Sequence, residues 1–307
     1  MESKVIVIAG PTCSGKTQLG IKLAEKLRTE IISADSRQIY KQLNIGTAKP
    51  SDEELTRVKH HFINKLEPDE NYNVSKFEND ALSIIQKLYA KNKVPIVVGG
   101  SGLYIKSLID GIFSTVDTDE DFRNDFLEKR KLFGNEFLYD ELKKVDPASA
   151  KKMLPQNWKR VMRALEVFHL TGKPIGDHHQ EYKRDKEIEF VQYALRWERE
   201  VLYKNIEMRV DVMLAQGLVD ETKSLIEKYD VKLNSLNTVG YKEILSFLKG
   251  DISLERAIEL IKRNTRRFAK RQLTWFRADD RIIWFDIKSQ KDLETIAEEI
   301  IRREDIQ

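Results

Sequence analysis

The stretch GPTCSGKT, residues 10–17, follows an apolar run, KVIVIAG (residues 4–10), and leads into Leu19, Leu23 and Leu27, spaced four apart. A buried strand, a glycine-rich loop and a helix in immediate succession constrain this chain more than any other feature. Gly10, Gly15, Lys16 and Thr17 occupy every fixed position of a phosphate-binding loop, and the flanking elements are the ones such a loop needs. Its backbone N–H groups curl around phosphate oxygens, and the helix N-terminus adds its dipole. Lys16 supplies a point charge and Thr17 a hydroxyl for Mg²⁺, while Pro11, Thr12, Cys13 and Ser14 fill the variable positions. The residues specify a polyphosphate and a magnesium ion. They leave open which bond breaks beside it.

Further apolar runs at 30–36 (EIISADS), Pro95–Val98, 188–197 and 281–287 read as strands separated by helical segments. That alternation predicts an α/β fold, a P-loop-type, mostly parallel sheet flanked by helices. Segment 113–187 breaks the rhythm. It is charged and helical with no clear strand, and reads as an all-helical insertion domain in a discontinuous core of residues 1–112 and 188–307. Gly217, Gly240 and Gly250 punctuate the helical stretch 198–278.

Ligands of open α/β sheets sit beyond the carboxyl ends of the strands. Three such ends carry polar residues: 10–17, then Asp35-Ser36-Arg37-Gln38, then Gly99-Gly100-Ser101-Gly102. An aspartate after a strand is often only a helix cap or turn former. Close to a phosphate site, Asp35 reads better as a magnesium ligand or a general base.

Residues 262–277, KRNTRRFAKRQLTWFR, hold seven basic residues and no acidic one. At about 100° per residue, Lys262, Arg263, Arg266, Arg267, Lys270, Arg271 and Arg277 share one half of a helix. Ile261, Phe268, Ala269, Trp275 and Phe276 share the other, which reads as the packing face. Solvated faces normally mix signs, so the basic half points to a polyanion. Lys159, Arg160 and Arg163 form a smaller basic group. His60-His61 and His178-His179 lack partners at zinc spacing and read as turn or capping residues, with substrate contact by His60 or His61 the lesser alternative.

The net charge of +3 is too small to indicate nucleic acid by itself; the clustering carries that argument. No run approaches the roughly 20 apolar residues of a bilayer span, and the N-terminus lacks a secretory pattern. The single cysteine, Cys13, cannot form an internal disulfide, which fits a reducing compartment. A cytoplasmic monomer without membrane association is expected.

Six blocks, GPTCSGKT, ISADSRQIYKQLNIGTAKP, VVGGSGLYI, RVMRALEVFHLTGKP, VGYKEI and KRNTRRFAKRQLTWFR, resemble the bacterial tRNA dimethylallyltransferases (tRNA isopentenyltransferases). They stand in that family's order and cover nearly the whole chain. The resemblance implies transfer of a dimethylallyl group from dimethylallyl diphosphate to N6 of the adenosine 3′-adjacent to the anticodon, in tRNAs reading codons that begin with U. It implies Mg²⁺ as cofactor and an insertion that helps clamp the anticodon stem-loop. Asp35 matches the base acting on the adenine amino group, Asp35–Gln38 the adenine-contacting turn, and residues 12–17 the diphosphate loop with Lys16. Ser101 keeps the hydroxyl of the family's usual Thr. Arg123, Asn157, Lys159, Arg160 and Arg163, with Arg266, Arg267, Lys270 and Arg271 of the stripe, are the implied tRNA contacts; Asn157 stands where the pattern carries Asp.

Three other functions share parts of this pattern. A prenyltransferase acting on free adenine nucleotides needs the loop and Asp35 but no RNA-sized basic surface. A P-loop kinase or NTPase needs only the loop. An RNA-binding protein with a vestigial loop has no use for an intact Lys16, Thr17 and Asp35.

Overall fold

The structure, a computed structural model, describes residues 4–112, 118–181 and 188–306, without the side chains of 179–181. Among the described residues six strands form one parallel sheet: β1 (Lys4–Ala9), β2 (Ile31–Ala34), β3 (His60–His61), β4 (Ile96–Gly99), β5 (Glu189–Trp197) and β6 (Ile282–Ile287). Their order is β3-β2-β4-β1-β5-β6. The helices are α1 (Lys16–Lys26), α2 (Asp52–Arg57), α3 (Val74–Tyr89), α4 (Gly102–Asp110), α5 (Glu120–Val145), α6 (Pro147–Ala150), α7 (Trp158–Thr171) and α8 (Ile175–Glu181). They continue with α9 (Arg199–Ala215), α10 (Leu218–Lys228), α11 (Tyr241–Leu248), α12 (Leu254–Arg277) and α13 (Asp292–Arg303).

The strands are apolar because both sheet faces are covered, the usual condition of a parallel sheet. Val5, Val7 and Ala9 of β1 point into one core with Ile32, Val97 and Phe77, Ala81 and Ile85 of α3. Ile6 and Ile8 point into the other, with Leu19 and Leu23 of α1 and Ile296, Ala297 and Ile300 of α13. The period of two along β1 and of four along α1 thus meet in one layer. At roughly 1.5–3 kcal/mol for each fully buried large aliphatic side chain, these two layers hold the loops at the strand ends in place.

β3 corrects the sequence reading of His60-His61. The pair is not a turn but a two-residue edge strand beside Ile31 and Ile32. Two polar residues carry no readable period, so only pairing with β2 defines the strand. The side chain of His179, from the other histidine pair, lies outside the described residues.

The chain divides into two compact units, residues 1–109 with 186–307, and residues 110–185. The insertion ends read from the sequence, 113 and 187, fall in stretches outside the described residues. The second unit is helical and has its own core of Leu138, Leu142, Val161 and Leu165. Its longest helix, α5, breaks at Gly134, where φ is +83°.

Candidate active site

Strands β1, β2 and β4 end level with one another. Ala9 and Ala34 both pair with Gly99, from opposite sides. The segments that follow, Gly10–Thr17, Asp35–Gln38 and Gly100–Ser101, therefore leave the sheet edge side by side. The winding also reverses here: the chain leaves β1 across β4 towards β2, and leaves β4 across β1 towards β5. Residues of all three segments line one cavity of about 400 Å³, within the range of small-ligand sites.

Gly15, with φ of +93°, turns the loop into α1. A side chain is strained in that conformation, so glycine lets the loop close tightly ahead of the helix. Ser14 is fully buried and its Oγ has no partner among the described residues. A buried hydroxyl is rarely left so, and in this loop a phosphate oxygen would satisfy it. The Trp197 indole N–H donates to the Ser14 carbonyl at 2.9 Å and braces the loop from β5. Lys16 turns back to donate to the Pro11 carbonyl at 3.0 Å. Loss of solvent lowers its pKa; Asp35 opposes that shift and Arg209 of α9 adds to it.

Asp35 uses one oxygen for the turn it begins. Oδ1 accepts the Arg37 N–H at 2.9 Å and the Gln38 N–H at 3.4 Å. Oδ2 has no protein partner among the described residues, leaving it for a proton or a cation. Ser101 Oγ accepts the Ser36 N–H at 3.0 Å and ties this turn to the end of β4. Gln38 Nε2 donates to the carbonyls of Thr47 and Ala48, 3.2 Å each. That loop is gripped by Glu221, whose carboxylate accepts the N–H groups of Asn44, Ile45 and Gly46 at 2.9–3.0 Å. Gln272 of α12 accepts the Thr12 N–H and donates to the Gly100 carbonyl, both at 2.9 Å. Thr17 and Asp35 put hard oxygen donors on the cavity wall, the ligand type magnesium prefers.

The IPP transferase family model matches residues 38–279. The chain belongs to that family. Among curated relatives, the tRNA dimethylallyltransferase of Pelotomaculum thermopropionicum is 46% identical over 300 residues, covering 97% of this chain and 95% of the relative. That of Carboxydothermus hydrogenoformans is 45% identical over 303 residues, covering 98% and 97%. The full-length tRNA isopentenylpyrophosphate transferase of Bacillus halodurans shares the fold with a TM-score of 0.71 at 38% identity, over 98% of this chain and 96% of that one. A eukaryotic dimethylallyltransferase acting on tRNA gives 0.84 at 31% identity, over 98% and 79%.

In this chain Thr12, Cys13, Lys16, Thr17, Asp35–Gln38 and Ser101 share the cavity. Gly10 and Pro11 carry the chain from β1 into the same loop. The basic stripe on α12 is split. Lys262 pairs with Asp211 and Arg266 with Glu207, each at 2.6 Å, both acids on α9. Arg267, Lys270 and Arg271 are exposed, with no ion pair among the described residues. The other half of α12 does not pack uniformly either: Ile261, Ala269 and Phe276 are buried, but Phe268 and Trp275 are 40% and 39% exposed. Phe268 turns to the cavity, with Arg271 over its ring at 5.7 Å.

In the second unit Asn157, Lys159 and Arg160 are exposed. Arg123 and Arg163 instead bind Glu166, whose side chain is fully buried, at 2.7 and 2.6 Å. Burial raises the Glu166 pKa, but hydrogen bonds from the two arginines and the Asp119 N–H outweigh it and leave the carboxyl below its ordinary value. The sequence reading gave no role to Gln272, Arg209, Glu221 or Trp197. Gln272 could have been singled out as the one amide on the cavity side of a basic helix; the others carry no local signal.

Proposed function

We propose that the protein transfers the dimethylallyl group of dimethylallyl diphosphate to N6 of the adenosine 3′-adjacent to the anticodon, in tRNAs reading codons that begin with U. The observation that carries this reading is the shared cavity: a phosphate loop, an aspartate with a free oxygen and a serine hydroxyl stand on three level strand ends. A hydrolase or kinase has no evident need for the second cleft wall of Val210, Met213, Val239 and Phe268, whereas a five-carbon apolar group does.

The diphosphate lies against the amides of residues 12–17, with Lys16 and the Ser14 hydroxyl on its oxygens. The N6 lone pair attacks C1 of the dimethylallyl group, and the C1–O bond breaks with its electrons going to the diphosphate. Negative charge grows on the leaving group, where loop amides and Lys16 stabilise it most. The N6 proton passes to Asp35 Oδ2, while Oδ1 stays committed to the turn. Ser101 holds the Asp35–Gln38 turn against β4 and offers its hydroxyl to the adenine. Thr17 and Asp35, the hard oxygen donors on the cavity wall, would hold Mg²⁺ beside the diphosphate. When bound, the ion would neutralise charge on the diphosphate.

Reaching N6 requires the base to leave its stack, and unstacked loops are what proteins read in RNA. The exposed Arg267, Lys270 and Arg271, with Asn157, Lys159 and Arg160 on the second unit, are the surfaces for that RNA. One chain supplies every group named, which supports a monomer, and a tRNA substrate supports the cytoplasm. No helix among the described residues is long and apolar enough to cross a membrane. The test is a competition assay with labelled dimethylallyl diphosphate, Mg²⁺, unmodified tRNA and AMP. Label is expected on tRNA; label only on AMP, or phosphate release from ATP without prenyl transfer, would overturn the reading.

A further inference from the structure

A second cleft, of about 950 Å³, lies beside the first and is larger. Ser101 faces the reaction cavity and the next residue, Gly102, faces this cleft; Arg271 borders both. Its floor is Ile105 and Ile109 of α4 with Phe276 and Trp275 of α12. Arg267, Arg271 and Trp275 stand four residues apart, so they form one row on the helix. Lys270 joins them on the rim. None of these three cations has an acidic partner among the described residues, unlike Lys262 and Arg266. Asp279, bound to Arg281 and Gln192, and the exposed Asp280 also line the cleft.

The Trp275 ring lies against the backbone of Gly102. A Cβ on Gly102 would come within 2.3 Å of the indole Cδ1 and Nε1, so only glycine lets the ring lie on the first turn of α4. The ring is still 39% exposed. A half-open indole beside a row of cations is what single-stranded nucleic acid binds: bases stack on the ring and phosphates meet the charges.

We propose that this cleft holds an unpaired anticodon-loop base next to the reacting adenosine, stacked on Trp275, with its phosphates on Arg267, Lys270 and Arg271. The proposal rests on the tRNA reading above. It adds a specificity device: the adenosine reaches Asp35 only when its neighbour is seated across Gly102.

The experiment measures binding and single-turnover transfer for an anticodon stem-loop, intact or with the base on either side of the reacting adenosine removed. Wild-type protein is expected to bind one of the two abasic RNAs about tenfold more weakly, as the loss of one stacked base implies. Trp275→Ala should lower affinity for intact RNA by a similar factor, lose nothing further on the abasic RNA, and keep its affinity for dimethylallyl diphosphate. Trp275→Phe, which preserves an aromatic ring and guards against a folding defect, should retain the abasic penalty. Equal abasic penalties in wild type and Trp275→Ala, or no penalty in wild type, would overturn the subsite while leaving the transferase reading intact. An abasic penalty lost in Trp275→Ala, in a protein that transfers no prenyl group, would support the subsite and sink that reading.

Discussion

Gln272 accepts the Thr12 backbone N–H at 2.9 Å, joining the phosphate loop to a residue 260 positions later in the chain. The same amide donates to the Gly100 carbonyl. One side chain from α12 therefore sets the spacing between two walls of the cavity. Gln272→Leu leaves the buried Gly100 carbonyl and the Thr12 N–H without these partners. Stability should fall by about 1–3 kcal/mol in urea unfolding, and affinity for dimethylallyl diphosphate should fall with it. Gln272→Glu keeps the acceptor for Thr12 and loses the donor to Gly100, so its affinity should be intermediate.

Lys16 ties ligand binding to pH. Its folded pKa lies below the ordinary 10.5, so the unfolded chain binds more protons between the two values. Stability contributed by this group therefore rises with pH across that window, and the full penalty applies below the folded pKa. A bound diphosphate restores the charge on Lys16. Calorimetry of diphosphate binding in buffers of different ionisation enthalpy should show uptake of up to about one proton inside the window and none well below it. Lys16→Met should abolish the uptake; proton release in the wild type would contradict the assignment.

Asp35 has divided duties, and two substitutions separate them. Asp35→Asn keeps an acceptor for the Arg37 and Gln38 amides but cannot take the N6 proton. Its transfer rate should fall by roughly 10²–10⁴ in single-turnover kinetics, with tRNA affinity within a few-fold of wild type. Asp35→Ala loses the turn as well and should also bind tRNA more weakly. An unchanged rate for Asp35→Asn would remove the base assignment.

The basic helix should behave as two groups in salt titrations. Arg267→Ala, Lys270→Ala and Arg271→Ala should each reduce the slope of log affinity for tRNA against log salt by about 0.7–0.9. Arg266→Ala should leave the slope unchanged, because its charge is spent on Glu207, and should act on the packing of α9 against α12.

Arg123→Ala tests whether a candidate tRNA contact is instead a structural one. It strips one of two arginines from the fully buried Glu166 carboxylate. The second unit should lose about 1–3 kcal/mol, read from protease susceptibility, and more of that loss should appear at neutral pH than under acid conditions that protonate Glu166. A wild-type protease profile with weakened tRNA binding would restore Arg123 to the RNA surface.

The sequence by itself determined the layered sheet and the phosphate loop, because both are written locally. Period two in residues 4–9, period four in Leu19 and Leu23, and glycine at positions 10 and 15 act within a few residues of themselves. It also placed Asp35 and Ser101 at strand ends, where the parallel-sheet rule brings them together. Tertiary structure decided which charges are free. Lys262 and Arg267 look alike on a helical wheel, and only Asp211, some 50 residues earlier on α9, separates them. Arg123 likewise met Glu166 only when α5 packed on α7, whereas Arg163 reaches it from three residues away on the same helix. Gln272, Glu221 and the Trp275 cleft were hidden for the same reason: a hydrogen bond or a ring contact depends on what arrives opposite it, and partners so far apart in the chain leave no periodic trace.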